Sequence, residues 1–150
     1  MRLSAKQMRS LPDFFACITD PRRPQGRRHR LCTILGIAAG ATLCGMRGYK
    51  AIYDWAEGLG PKARERFACR CENGRRVVPS EYVIRDLLVR IDPAELDYAI
   101  RGWNEVYGAK DETLAIDGKT MCNAIDEHGR RTHIMSVVGH ESNNCYAQKK

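Results

Sequence analysis

Apolar residues recur at helical spacing through the middle of the chain. Residues 31–46 carry no charge and are rich in Ala, Leu, Ile and Gly, and this run of sixteen residues is shorter than the ~20 that a membrane-spanning helix needs. We therefore predict a buried helix there and no membrane span. The apolar stripe of residues 49–59 predicts a second, amphipathic helix that ends at Gly60-Pro61, with Trp55 lying off the stripe.

Capping residues mark two further helices. Ser80 precedes an apolar face spaced for a helix over residues 81–91, and its hydroxyl can accept a hydrogen bond from a free N–H group of the first turn. Asp92 can do the same for a helix over residues 93–107, and Glu95 stands where a capping box has its acidic residue. We therefore predict a pair of helices joined by a short turn.

This helical pair has the outline of a helix-turn-helix, a motif that binds the DNA major groove. Arg85 and Arg90 lie on a polar face that also carries Asp86. Any helical hairpin packed on a core gives the same pattern. The pair could therefore bind the bases of DNA or only pack on the core, and both interpretations stay open.

After residue 112 the spacing of apolar residues changes from helical to alternating. Three strands are predicted, over 113–117, over 132–139 and from 145 onward, with turn residues between them. Such an order is typical of an antiparallel meander, and continuous pairing would place Asp117 roughly opposite Val138. The expected fold class is α+β, with an N-terminal helical domain followed by antiparallel strands.

Positive charge dominates the composition. The chain has 25 Lys and Arg against 18 Asp and Glu, a formal net charge of +7, which favours a polyanionic partner such as DNA. Five arginines fall within nine residues that also contain proline and glycine: Arg22, Arg23, Arg27, Arg28 and Arg30. Since proline and glycine disfavour a helix, we predict an extended arm or loop whose guanidinium groups reach DNA phosphates. A solvated basic tail is the alternative interpretation.

The seven cysteines are odd in number and scattered, and no signal peptide precedes them. A disulfide framework is therefore not expected, and reduced thiols in a cytoplasmic protein are the simplest interpretation. Cys69-x-Cys71 is a close pair, but without a second pair at zinc-ligand spacing it indicates buried or incidental cysteine rather than metal.

Asp117 is an acidic residue at the end of an apolar strand. A carboxylate at this position emerges from a rigid scaffold, as metal-binding groups do. Gly118 permits a close approach of a phosphate backbone, and Lys119 can offset phosphate charge. An Asp-Gly pair after a strand is also a common plain turn, so both interpretations stay open at this point.

Several sequence blocks, taken in order, resemble the insertion-sequence transposases of the H-repeat-associated (Rhs-linked) type. The similarity runs from about residue 11 to residue 148. The blocks that carry it are Asp20-Pro21-Arg22-Arg23-x-Gln25-Gly26-Arg27-Arg28, Gly48-Tyr49-Lys50-Ala51-Ile52-x-x-Trp55-Ala56, Pro79-Ser80-Glu81-x-x-Ile84-Arg85 and Ile116-Asp117-Gly118-Lys119-Thr120.

The resemblance implies a DDE transposase with three segments. These would be a basic arm over 1–30, a helical transposase-associated domain over 31–108, and the start of an incomplete ribonuclease H-like catalytic domain over 109–150. In such enzymes the first catalytic Asp lies on the first strand of the catalytic domain, so Asp117 inherits that role and that of a metal ligand. The second Asp and the Glu of the family have no counterpart here and would follow Lys150.

The mechanism that the resemblance implies is phosphoryl transfer with two Mg²⁺ ions held ~4 Å apart by carboxylates. One monodentate carboxylate cannot fix such a pair of ions. In the expected register Asp126, Glu127 and Glu141 lie too far from Asp117 to share a metal with it. His140 would be nearer, but imidazole is a poor ligand for the hard Mg²⁺ ion.

We therefore expect a truncated DDE transposase that binds the DNA of its element ends but does not cleave DNA alone. Its expected partners are DNA and a second copy of the chain or a full-length transposase, without a membrane. One alternative is a non-catalytic DNA-binding remnant that inhibits a full-length transposase by mixed assembly. Another is a small helical scaffold with no DNA role.

Overall fold

The computed structural model describes residues 5–107, 114–125, 128–139 and 145–149, which form a mixed helical and antiparallel fold. The α+β class is therefore confirmed. The helices are α1 (Ala5–Phe14), α2 (Leu31–Leu43), α3 (Tyr49–Glu57), α4 (Pro61–Arg66), α5 (Glu81–Arg90) and α6 (Pro93–Tyr107). The strands are β1 (Cys71–Glu72), β2 (Arg75–Arg76), β3 (Leu114–Ile125), β4 (Arg131–Gly139) and β5 (Cys145–Lys149).

Helix α2 lies at the centre of the core, which confirms the buried helix predicted from the uncharged run. Ile34 and Ile37 have no exposed surface, and α1, α3 and α5 all pack against this helix. The apolar character of α2 therefore reflects contact with other helices on several sides. Its 13 residues extend only ~20 Å. Within the described ranges, no helix is long and apolar enough to cross a membrane.

Trp55 of α3 packs against Phe67, the residue that follows α4. Its ring meets Phe67 edge to face, with ring centroids 6.0 Å apart. Both rings lie against Gly40 of α2, where a side chain would occupy their space. Pro61 begins α4 rather than simply ending α3, because proline is tolerated at the first position of a helix.

A short hairpin of β1 and β2 follows α4 and was not among the predicted elements. Its turn is Asn73-Gly74, with φ of 49° and 75°. This dipeptide is a strong hairpin signal, but the flanking strands of two residues each are too short to show alternation. Cys69, before the hairpin, is buried, whereas Cys71 in β1 is exposed.

The predicted caps of α5 and α6 are confirmed in part. Ser80 Oγ accepts a hydrogen bond from Val83 N at 3.4 Å, and Asp92 Oδ1 accepts one from Ala94 N at 2.8 Å. The carboxylate of Glu95 accepts from Thr19 instead, at 2.6 Å from its backbone N and 3.0 Å from its hydroxyl. Glu95 thus fastens α6 to a distant segment. Helix α5 packs on α2 and α3, while α6 packs on α1.

The C-terminal strands form the expected antiparallel meander in the order β3-β4-β5. The expected register is wrong, because Asp117 pairs with Ser136 and not with Val138. The cause is a break in regular pairing between Met121 and Ile125, where β3 has extra residues relative to β4. Such a bulge displaces all pairs beyond it.

Within the first thirty residues, a helix precedes the loop that carries the five clustered arginines. Residues 5–14 form α1, and the short 3-10 turn after it places Phe15 in the core together with Ile18. Trp103 of α6 donates a hydrogen bond from its indole N–H to Ser10 Oγ at 3.1 Å. Apolar contacts with α2 and α6 therefore order a segment that its charge suggests would be solvated.

Candidate nucleic-acid interface

Residues 20–30, called the arginine loop below, are organised around the side chain of Arg22. This guanidinium is 4% exposed and binds Asp20 at two points, from Nε to Oδ1 at 2.9 Å and from Nη2 to Oδ2 at 2.8 Å. It also donates to the carbonyl oxygens of Gly26 at 3.3 Å and His29 at 2.9 Å. Arg22 therefore holds the loop together and offers no free edge to a phosphate.

Asp20 is the acidic partner of this network. Burial alone would raise the pKa of its carboxyl group, but hydrogen bonds and the positive charge of Arg22, with a smaller contribution from Arg27, lower it below its ordinary value. Asp20 is also the single acidic residue of the loop sequence. Its charge is neutralised inside the loop, so it does not offset charge on the outer surface.

Arg27 has a second structural role in the arginine loop. Its Nε donates to Arg22 O at 2.9 Å, and its Nη2 donates to Asp20 O at 3.0 Å. The side chain is half-exposed and lies 3.6 Å from a carboxylate oxygen of Asp20. Like Arg22, it is used mainly to fix the backbone.

Arg23, Arg28 and Arg30 are the three exposed arginines of the loop that remain unpaired. Their side chains make no hydrogen bond or ion pair with any residue in the described part of the chain. The backbone that carries them is fixed by Arg22 and Arg27. The loop therefore presents three free guanidinium groups on an ordered support, an arrangement suited to phosphate oxygens.

His29 lies on the inner side of the same loop. Burial lowers the pKa of its imidazole, and the nearby charges of Arg70 and Arg22 lower it further, against a smaller opposing effect of Glu72. The Nδ1 atom is buried and has no hydrogen-bond partner among the described residues. The structure therefore favours the neutral ring.

Helix α5 borders the arginine loop. Arg90, at its C-terminal end, donates a hydrogen bond from Nη2 to Pro21 O and pairs with Asp86 at 3.2 Å. This contact joins residues far apart in sequence, and it was not visible in the local pattern. It holds the C-terminal end of α5 against the start of the arginine loop.

Asp117, the predicted catalytic and metal-binding residue, is exposed on β3, a strand at the edge of the sheet. Ser136 lies opposite it on β4, and Gln148 lies opposite Ser136 on β5. Gln148 Nε2 donates to Ser136 Oγ at 3.3 Å, so the row beside Asp117 is neutral. Lys119 lies two residues along β3, on the same face as Asp117 and also exposed.

The described residues around Asp117 do not fit a Mg²⁺ site. In the four described ranges, no group of three His, Cys, Asp or Glu side chains converges to hold a metal ion. One carboxylate beside a neutral serine and glutamine supplies too few oxygen ligands for the ion, and a lysine on the same face opposes its charge. Asp126, Glu127, His140 and Glu141 lie outside the described residues.

The sheet is attached to the helical part through α6. Arg101 Nη2 donates to Gln148 O at 3.5 Å, and Asn104 Nδ2 donates to Cys145 O at 3.2 Å. Both contacts reach backbone carbonyls of β5. The carboxylate of Asp117 and the arginine loop therefore belong to parts of the chain that α6 connects.

Comparison with known proteins identifies the family. Residues 12–104 match the sequence model of the family described as DDE_Tnp_1-associated, and the chain belongs to this transposase-associated family. It is also 30% identical over 142 residues to an uncharacterized protein in the dhlA 3′ region of Xanthobacter autotrophicus. That alignment covers 91% of this chain and 46% of the relative, so the chain spans under half the relative's length. No solved structure matches the chain significantly.

Proposed function

We propose that this transposase-related protein binds double-stranded DNA in transposition, through Arg23, Arg28 and Arg30. The observation that carries the proposal is that the arginines of the loop fall into two groups, one structural and one exposed. Arg22 and Arg27 neutralise Asp20 and fix the backbone, while the three other arginines are exposed and unpaired among the described residues. Because their support is already ordered, these side chains can bind phosphates at little conformational cost.

The catalytic role of Asp117 is a separate part of the proposal. The strand position and the Ile116-Asp117-Gly118-Lys119-Thr120 block support Asp117 as one metal ligand of a ribonuclease H-like DDE site. Such a site needs further carboxylates. The motif order also supports assignment to the H-repeat-associated type.

DNA binding is tested by fluorescence anisotropy on a labelled duplex of about 30 base pairs over a range of salt concentrations. Loss of three phosphate contacts in R23Q/R28Q/R30Q should weaken binding and reduce the slope of log K against log salt by about 2.7. The fold should persist, since none of these exposed side chains makes a hydrogen bond or ion pair with a described residue. Thermal unfolding monitored by circular dichroism checks that point.

Two controls separate phosphate contact from a general loss of charge. R23K/R28K/R30K keeps the three charges and should keep most of the salt slope, because a lysine still displaces a counterion. Arg47 is also exposed but lies beyond the far end of α2, about 20 Å from the loop, so Arg47→Gln should change the slope less than Arg28→Gln. Equal effects of Arg47→Gln and Arg28→Gln, or no salt-dependent binding at all, would refute the proposed interface.

A further inference from the structure

We infer that the outer face of α5 enters the major groove of the DNA that the arginine loop holds. The inference rests on the proposed DNA binding and adds a second element to it. Arg90 joins the end of α5 to Pro21 of the loop, so DNA bound along the loop would also lie near this helix. The loop would position the duplex through phosphates, and α5 would contact base edges.

The two faces of α5 differ sharply in exposure. Ile84 and Leu87 are fully buried against the core, whereas Tyr82 is 73% exposed and Val89 is 60% exposed on the opposite side. Arg85 lies beside them on that outer face and is exposed as well. Packing requires the inner face, but it does not account for an aromatic, an aliphatic and a cationic side chain in one exposed row.

The charge of the outer face favours DNA over an acidic or neutral protein surface. Asp86 is the acidic residue of this face, and its ion pair with Arg90 at 3.2 Å neutralises it. Arg85 has no hydrogen bond or ion pair with any described residue, so the face keeps one free positive charge. The C-terminal end of α5 contacts Pro21 of the arginine loop through Arg90, so a polyanion bound by the loop would find further positive charge on this helix.

The side chains of the outer face are suited to base edges. An arginine can donate two hydrogen bonds to guanine O6 and N7, and apolar groups such as those of Val89 and Tyr82 can contact the methyl group of thymine. The 10 residues of α5 extend ~15 Å, and the major groove of B-DNA, ~12 Å wide, admits a helix. Arg85 is therefore the residue assigned to sequence discrimination.

Selection from a pool of random-sequence duplexes tests this inference. The wild-type chain should enrich a short sequence, and Arg85→Gln should reduce its preference at one base pair by about tenfold or more. Arg85→Gln should keep more of the binding to an unselected duplex than R23Q/R28Q/R30Q, because the loop retains its phosphate contacts. Arg47→Gln serves as the control for loss of one exposed arginine elsewhere and should leave the enriched sequence unchanged.

The outcomes separate this inference from the proposed function. If no duplex binds, the proposed function fails and the inference fails with it. If salt-dependent binding occurs without any enriched sequence, or if Arg85→Gln leaves the preference intact, α5 does not read the groove while DNA binding stands. If Y82A/V89A lowers the molar mass in light scattering and leaves the selected sequence unchanged, the face is a protein interface and the inference is overturned.

Discussion

Arg22 and Asp20 form a two-point ion pair that is enclosed by the loop containing them. Nε and Nη2 of Arg22 each bind a different carboxylate oxygen, at 2.9 and 2.8 Å. The remaining donors of the guanidinium reach the carbonyl groups of Gly26 and His29, so one side chain closes the whole segment. Arg22, although part of a basic cluster, therefore stabilises the loop from inside.

Replacing Arg22 should therefore cost much more stability than replacing its neighbour. Arg22→Ala removes the guanidinium donors of the Asp20 carboxylate and of two carbonyl groups, and we expect a loss of about 3 kcal/mol in the free energy of unfolding. Arg23→Ala removes an exposed side chain with no described partner and should change that free energy by less than about 0.5 kcal/mol. Urea denaturation measures both variants, and equal losses would contradict the structural role of Arg22.

Two glycines of α2 give a matched test of packing. At Gly36 an added Cβ would meet Pro12 and Phe67 at 3.5 and 3.6 Å, which is ordinary contact. At Gly40 it would meet the rings of Phe67 and Trp55 at 3.1 Å each, and these rings are already packed against each other. Both substitutions to alanine gain helix propensity of up to about 1 kcal/mol.

Gly36→Ala should consequently raise the free energy of unfolding, because the gain in propensity is not opposed by a clash. Gly40→Ala should be less stable than Gly36→Ala by about 1–3 kcal/mol, since two interlocked rings must move. Thermal or urea denaturation of both variants gives the comparison. An equal gain in the free energy of unfolding of the two variants would show that the rings of Trp55 and Phe67 move aside without loss of stability.

His29 should make stability depend on pH. Burial and the charges of Arg70 and Arg22 lower the pKa of His29 in the folded state, so the unfolded chain binds the proton more readily. The contribution of His29 is therefore fully present above the unfolded pKa of about 6.5 and is lost as the pH falls below it, towards the folded pKa.

His29→Gln should remove this contribution. Melting temperatures of the wild type should fall more steeply than those of the variant between about pH 8 and about pH 5. The carboxyl group of Asp20 also has a lowered pKa, but its contribution is lost at lower pH, below the ordinary range of a carboxyl group. If the melting temperatures of wild type and His29→Gln change in parallel between about pH 8 and about pH 5, the pKa of His29 does not differ between the folded and unfolded states.

Local chemistry was sufficient to predict several elements. Ser80 and Asp92 cap α5 and α6 as their side chains indicate, because a cap depends on groups only two or three residues away. The hydrophobic run predicts the burial of α2 for a similar reason, since its residues carry no charge, and the hydroxyls of Thr33 and Thr42 donate to carbonyl oxygens of the protein. The alternation after residue 112 predicts the meander, although not its pairing.

Predictions that depended on distant partners failed. Glu95 occupies a capping-box position, yet it binds Thr19, which lies 76 residues earlier in the chain. The register at Asp117 is displaced because β3 contains a bulge that alternation alone does not reveal. The arginine loop looks like a free arm in sequence, because neither the burial of Arg22 nor the contact between Arg90 and Pro21 leaves a local signal.

The sequence by itself determined that α2, α3, α5 and α6 are helical, that the chain carries excess positive charge, and that Asp117 lies on a strand. Those properties follow from spacing, capping and composition, which act over a few residues. Tertiary structure decided which arginines are free, which residues face Asp117, and that α5 contacts the arginine loop through Arg90. A charged side chain binds whichever partner folding brings within ~3 Å, and that partner is set by the packing of the whole chain.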